Sequence, residues 1–131
     1  MLCLLFRTGF QRRDFNDVYR LNIPTMAWEL IEIPAGAAVP APRSGHVAVA
    51  NRSTMLVHGG WSSTALFNDL WSFDTENLCW SRVDEVTPGP FRWNHAAICI
   101  PAVPNWQMFV FGGSMSAADG QDAKVAVSGI I

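Results

Sequence analysis

Apolar residues in this chain come in short runs that stop at glycine or at polar turn residues, and no stretch shows the three-four spacing of an amphipathic helix. Met55-Leu56-Val57 and Met108-Phe109-Val110-Phe111 are continuous apolar runs, each leading into a Gly-Gly pair, as strands buried on both faces would. Leu70 to Phe73 alternates, Asp74-Thr75-Glu76-Asn77 is polar turn material, and Cys79-Trp80-Ser81-Arg82-Val83 resumes as a strand. Glycine suits the end of such strands because it accepts positive φ and lets neighbouring backbones approach closely. The pattern predicts an all-β chain of four-stranded antiparallel units, with strands a to d in sequence order.

The units repeat. Phe67-Asn68-Asp69-Leu70-Trp71-Ser72-Phe73-Asp74, followed by Trp80, matches Phe15-Asn16-Asp17-Val18-Tyr19-Arg20-Leu21-Asn22 with Trp28, 52 positions earlier. Pro42-Arg43-Ser44-Gly45-His46 matches Pro90 to His95, with His46 and His95 49 apart, and Gly59-Gly60 matches Gly112-Gly113 at 53. A period near 50 residues is that of propeller blades built from four strands.

In these motifs the chain resembles the kelch-repeat family of β-propellers. The resemblance implies a repeat region over residues 1–114, with a partial blade at 4–32, a complete motif at 43–83 and a partial blade at 92–114. Residues 115–131 are expected to form a mobile tail or a degenerate strand, with Ser114 to Gln121 as a loop and Ala123 to Val127 in the third-strand position. Gly59, Gly60, Gly112, Gly113, Trp28, Trp80, Asp17, Asp69, His46 and His95 are then structural repeat positions, with Trp28 and Trp80 expected between blades.

About two and a half blades fit into 131 residues, whereas propellers close with four to eight. Leu5 to Phe10 aligns 51 positions before Leu56 to Trp61, so the chain is expected to enter in mid-blade and to be a fragment, or else to cover its open blade sides. The cover would be the remaining blades of a longer chain, a partner, or self-association.

Composition narrows the function classes. Half the residues are hydrophobic, which suits buried strands, and a formal net charge of -2 with dispersed signs offers no basic surface to nucleic acid or membrane. The apolar stretch Met1 to Phe6 is too short for a signal peptide or membrane span. Three unpatterned cysteines point to a reducing compartment, cytoplasmic or nuclear.

No catalytic residue, metal site or cofactor is expected. His46 and His95 occupy equivalent positions a blade apart, where side chains repeat a packing role and do not converge on an ion. Galactose oxidase builds a copper site on a kelch-type propeller with tyrosine, histidine and a cross-linked cysteine, but the single tyrosine here, Tyr19, falls at a blade position shared with Trp71. A fragment of such an enzyme, and a nonfunctional truncated product, are the alternatives to the main expectation, a non-catalytic scaffold that binds a protein or peptide.

In a blade of four antiparallel strands the b-to-c and d-to-a loops share one face. Here those loops are the longer ones and carry Arg43, Trp61, Phe67, Arg92 and Trp93, the candidate partner-binding residues, since Trp and Arg are favoured anchors on rigidly held loops. Arg43 and Arg92 are also repeat positions, so a structural role competes. On the opposite face the stretch Pro101 to Trp106 lengthens one a-to-b loop, and Trp106 is expected to pack back on its blade.

Overall fold

The structure is a computed structural model in which residues 14–83, 91–100, 107–114 and 129–130 are described. The expected strands at Leu5 to Phe10 and Ala123 to Val127, the loop from Pro101 to Trp106, and residues 84–90 and 115–121 lie outside the described residues.

The described residues form nine strands and no helix. The first sheet holds β1 (Val18–Asn22) and β2 (Ala27–Ile31). The second is a complete meander of β3 (Val47–Asn51), β4 (Thr54–His58), β5 (Leu70–Asp74) and β6 (Cys79–Arg82) in that order. The third holds β7 (Ala96–Ile100), β8 (Gln107–Phe111) and β9 (Gly129–Ile130). All pairings are antiparallel, so each sheet is a blade or part of one. β9 lies in the stretch expected as a mobile tail or degenerate strand, and it pairs with β8 through Phe109 to Ile130 and Val110 to Gly129.

Register follows from local chemistry. The Asp74 carboxylate accepts from the backbone N–H groups of Glu76 and Asn77 at 2.8 and 2.9 Å, and from the Asn77 side chain at 2.7 Å, which closes the β5–β6 turn. Asn22, 52 positions earlier, accepts from the Thr25 N–H and closes the β1–β2 turn in the same way. Both turns finish on a left-handed residue, Met26 at φ 53° and Leu78 at φ 55°.

Alternation then decides which residues meet which sheet. One face of the second sheet presents Met55, Val57, Trp71, Phe73 and Trp80 to Val18 and Ile31 of the first sheet, forming one core. Phe73 and Trp80 are cross-strand partners with rings 4.9 Å apart, and Trp71 meets Trp80 edge-on. The other face presents Leu56 and Leu70 to Met108 and Val110 of the third sheet, forming a second core. Each fully buried side chain of this kind contributes about 1.5–3 kcal/mol.

Among the described residues, Trp28 does not sit between sheets, as its equivalence to Trp80 implied. It is 47% exposed against 6% for Trp80, because no described sheet covers its side of β1–β2.

Candidate functional site

The Gly-Gly pairs build the loop face. Gly59 and Gly60 at φ 66° and 98° carry the chain out of β4 in a conformation that brings it against the segment preceding β7. A Cβ on Gly59 would lie 2.6 Å from the Arg92 carbonyl oxygen, and one on Gly60 would lie 2.7 Å from that of Ser44. The glycines thus permit two bonds that stitch the second sheet to the third, Gly60 N–H to the Arg92 carbonyl and Asn94 N–H to the Gly45 carbonyl, both 2.8 Å.

Beyond the glycines, Trp61 exchanges both backbone bonds with Ser44, at 2.8 and 2.9 Å. The loop from Trp61 to Phe67 is closed by Ser62 N–H to the Ala65 carbonyl, by the Ser62 hydroxyl accepting from the Thr64 and Ala65 N–H groups, and by Phe67 N–H to the Gly60 carbonyl. Trp93 is held by two bonds with Ser114, the same exchange that fixes Trp61 one sheet earlier. Across the seam the two indoles meet with ring centroids 5.9 Å apart. Trp61 remains 39% exposed, Trp93 is half-buried, and the Trp93 indole nitrogen is buried without a partner among the described residues.

The arginines behave differently from a partner-facing pair. Arg43 and Arg92 are 1% and 2% exposed, so their side chains point into the protein. Arg43 donates from Nε to the Ala41 carbonyl, from Nη1 to the Gly59 carbonyl, and from both Nη groups to the Asp69 carboxylate at 2.6 and 2.9 Å. Its guanidinium lies 4.1 Å from the centre of the half-buried Phe67 ring. Arg92 repeats the theme, donating to the Gly112 carbonyl at 2.7 Å. Loop position put these residues among the candidates, but a guanidinium with five donors is also what orphaned carbonyls at a strand end need. Burial pushes Asp69 up, but hydrogen bonds from Arg43 and from the Trp71 indole outweigh it and hold the carboxyl below its ordinary value.

Of the five candidates, therefore, Trp61 and Trp93 come together at the surface, Arg43 and Phe67 form a brace beneath it, and Arg92 braces the next sheet. Two features escaped sequence reasoning. Phe91, two residues before Trp93, is 48% exposed; an apolar residue beside the repeat arginine was its only signal. His58 Nδ1 lies 3.2 Å from His95 Nε2, with rings edge-on, in a buried contact between the second and third sheets. No spacing rule pairs a strand-end histidine with a loop histidine of the next repeat. Burial lowers both to about 4, aided by the Arg92 charge at each and, at His95, by His58 itself. His46 is likewise lowered to about 4, by burial and then by Arg43.

Comparison with known proteins agrees with this architecture. The description "KLHDC2/KLHL20/DRC7 Kelch-repeats domain" matches residues 6–125. Acyl-CoA-binding domain-containing protein 5 of Arabidopsis thaliana is 34% identical over 110 residues, covering 82% of this chain and 16% of that protein. Host cell factor 1 of Rattus norvegicus is 35% identical over 126 residues, 87% of this chain and 6% of its own length. Kelch domain-containing protein 10 of Xenopus tropicalis is 26% identical over 108 residues, 81% of this chain and 25% of its own. The chain thus spans a small part, a quarter or less, of each of these relatives. With diglycine strand ends, the Asp-to-Trp spacing and sheets stacked face to face, this chain belongs to the kelch-repeat family.

Proposed function

We propose that the chain binds a protein or peptide segment across the Trp61–Trp93 seam of its loop face, without catalysing a reaction. Kelch repeats generally act as protein-interaction scaffolds, and the finer assignment rests on one observation: an exposed tryptophan locked by backbone bonds against a second tryptophan from the next sheet. Two rigid indoles offer a large contact area at little conformational cost, which is the character of an interface anchor. The complementary segment is extended and carries an apolar or proline side chain that lies on the indole pair, while the exposed Thr64 hydroxyl, held by the Ser62 hydroxyl, supplies a hydrogen bond at the edge.

Selection of displayed peptides on the purified 131-residue chain, followed by titration through tryptophan fluorescence, tests this reading. Trp61→Ala is expected to weaken the selected peptides by at least about 30-fold, with the urea midpoint little changed because the side chain is already part exposed. Peptides that bind the parent and Trp61→Ala equally well would place the binding surface elsewhere and overturn the assignment.

A further inference from the structure

We propose that the open face of the third sheet in one copy of this chain receives the open face of the first sheet in a second copy, head to tail. The sheets carry two kinds of face. A leading face meets the sheet before it in sequence: Met55, Val57, Trp71, Phe73 and Trp80 in the second sheet, and Met108 and Val110 in the third. A trailing face meets the sheet after it: Val18 and Ile31 in the first, Leu56 and Leu70 in the second. Both internal interfaces join trailing to leading.

Among the described residues, one face of each kind is left without a neighbouring sheet. Tyr19, Leu21 and Trp28 stand 52 positions before Trp71, Phe73 and Trp80, and register puts them, with Leu30, on one side of β1–β2. That side is a leading face, and Trp28 and Leu30 are 47% and 49% exposed on it. Phe109 stands 53 positions after Leu56, and Ile98 stands 49 after Val49, which packs on the core around Leu56. Ile98 and Phe109 are cross-strand partners, so they share a trailing face with Phe111 and Ile100, and Ile98, Ile100 and Phe111 are 49%, 39% and 37% exposed there. None of these positions is charged.

The occupant follows from continuity with the interfaces already formed. A trailing face in this fold takes a leading face, and a second copy carries one that is likewise uncharged, at Tyr19, Leu21, Trp28 and Leu30. Such a contact is heterologous, and heterologous contacts either close into rings or run on as filaments. The three described sheets of each of two copies make six around one axis, within the four to eight at which propellers close, so pairing satisfies both open faces of both chains at once.

Light scattering on the purified chain is expected to give twice the chain mass. Trp28→Lys and Ile98→Lys, each on one open face, should each be monomeric alone, with association weakened by at least about 100-fold. Mixed together, they should recover a one-to-one heterodimer, because the untouched trailing face of the first variant meets the untouched leading face of the second. Both positions are exposed in a single copy, and an unchanged far-UV spectrum with unchanged emission from the buried Trp71–Trp80 pair verifies folding. Trp61→Ala should assemble like the parent, which separates this contact from the loop surface. A monomeric parent, assembly indifferent to both variants, loss of association by one variant only, or no heterodimer on mixing would each overturn the proposal.

Discussion

Arg43 is a full charge with its side chain removed from water, and it is tolerable there because its donors reach two backbone carbonyls and a bidentate carboxylate, with Phe67 beneath the guanidinium. Breaking such a cluster from one side leaves the other side unpaired. Arg43→Met should lower unfolding stability by about 3 kcal/mol, since the Gly59 carbonyl loses its donor and the Asp69 charge loses both guanidinium donors and keeps the Trp71 indole. Adding Asp69→Asn should recover part of the loss, so that the double variant falls short of the sum in urea denaturation. Equal and additive losses would show that the pair is not coupled. The sequence disclosed Arg43 and Asp69 as repeat positions but not as partners, because 26 residues separate them and only the closing of the meander brings them together.

Gly59 and Gly112 are the same repeat position, yet their surroundings differ. Both have positive φ, at 66° and 72°, but a Cβ on Gly59 meets the Arg92 carbonyl at 2.6 Å while one on Gly112 meets no described atom within 4 Å. Gly112→Ala should therefore cost only the backbone conformation, about 1–2 kcal/mol. Gly59→Ala should cost at least about 3 kcal/mol, because Gly60 and Arg92 would have to part to make room. Thermal unfolding of the two variants decides it, and equal losses would mean that seam contact is not what the glycine serves. The strands themselves were legible at this scale: apolar runs into Gly-Gly gave β4 and β8, and alternation gave β5. Which glycine was crowded was not legible, since that depends on a neighbour about 30 residues further along the chain.

At the scale of the whole molecule, three histidines are held neutral by burial, two of them bridging the second and third sheets. Their folded values near 4 lie below the ordinary 6.5, so the unfolded chain takes up protons more readily as pH falls. The stability they permit is complete above about pH 6.5 and is lost progressively as pH falls toward 4. A urea midpoint that falls steadily across that window is expected. His58→Gln should flatten the slope, and a midpoint independent of pH between those limits would contradict the assignment.

The sequence by itself determined the family, the strand order and the polar turn after Asp74, because strand alternation, diglycine ends and runs of polar turn residues are written in residues close together along the chain. It also placed Trp61 in the loop after a second strand and Trp93 in the loop before the next sheet, where the structure has them. Only the tertiary structure decided which side chains face outward. Arg43 and Arg92, candidates by loop position, turn inward because strand-end carbonyls and Asp69 claim their donors. Trp28, equivalent to a core residue, turns out exposed because burial belongs to the neighbouring sheet and not to the residue. A repeat specifies what each face can pack against, and the presence of a neighbour is what makes that face a core or a surface.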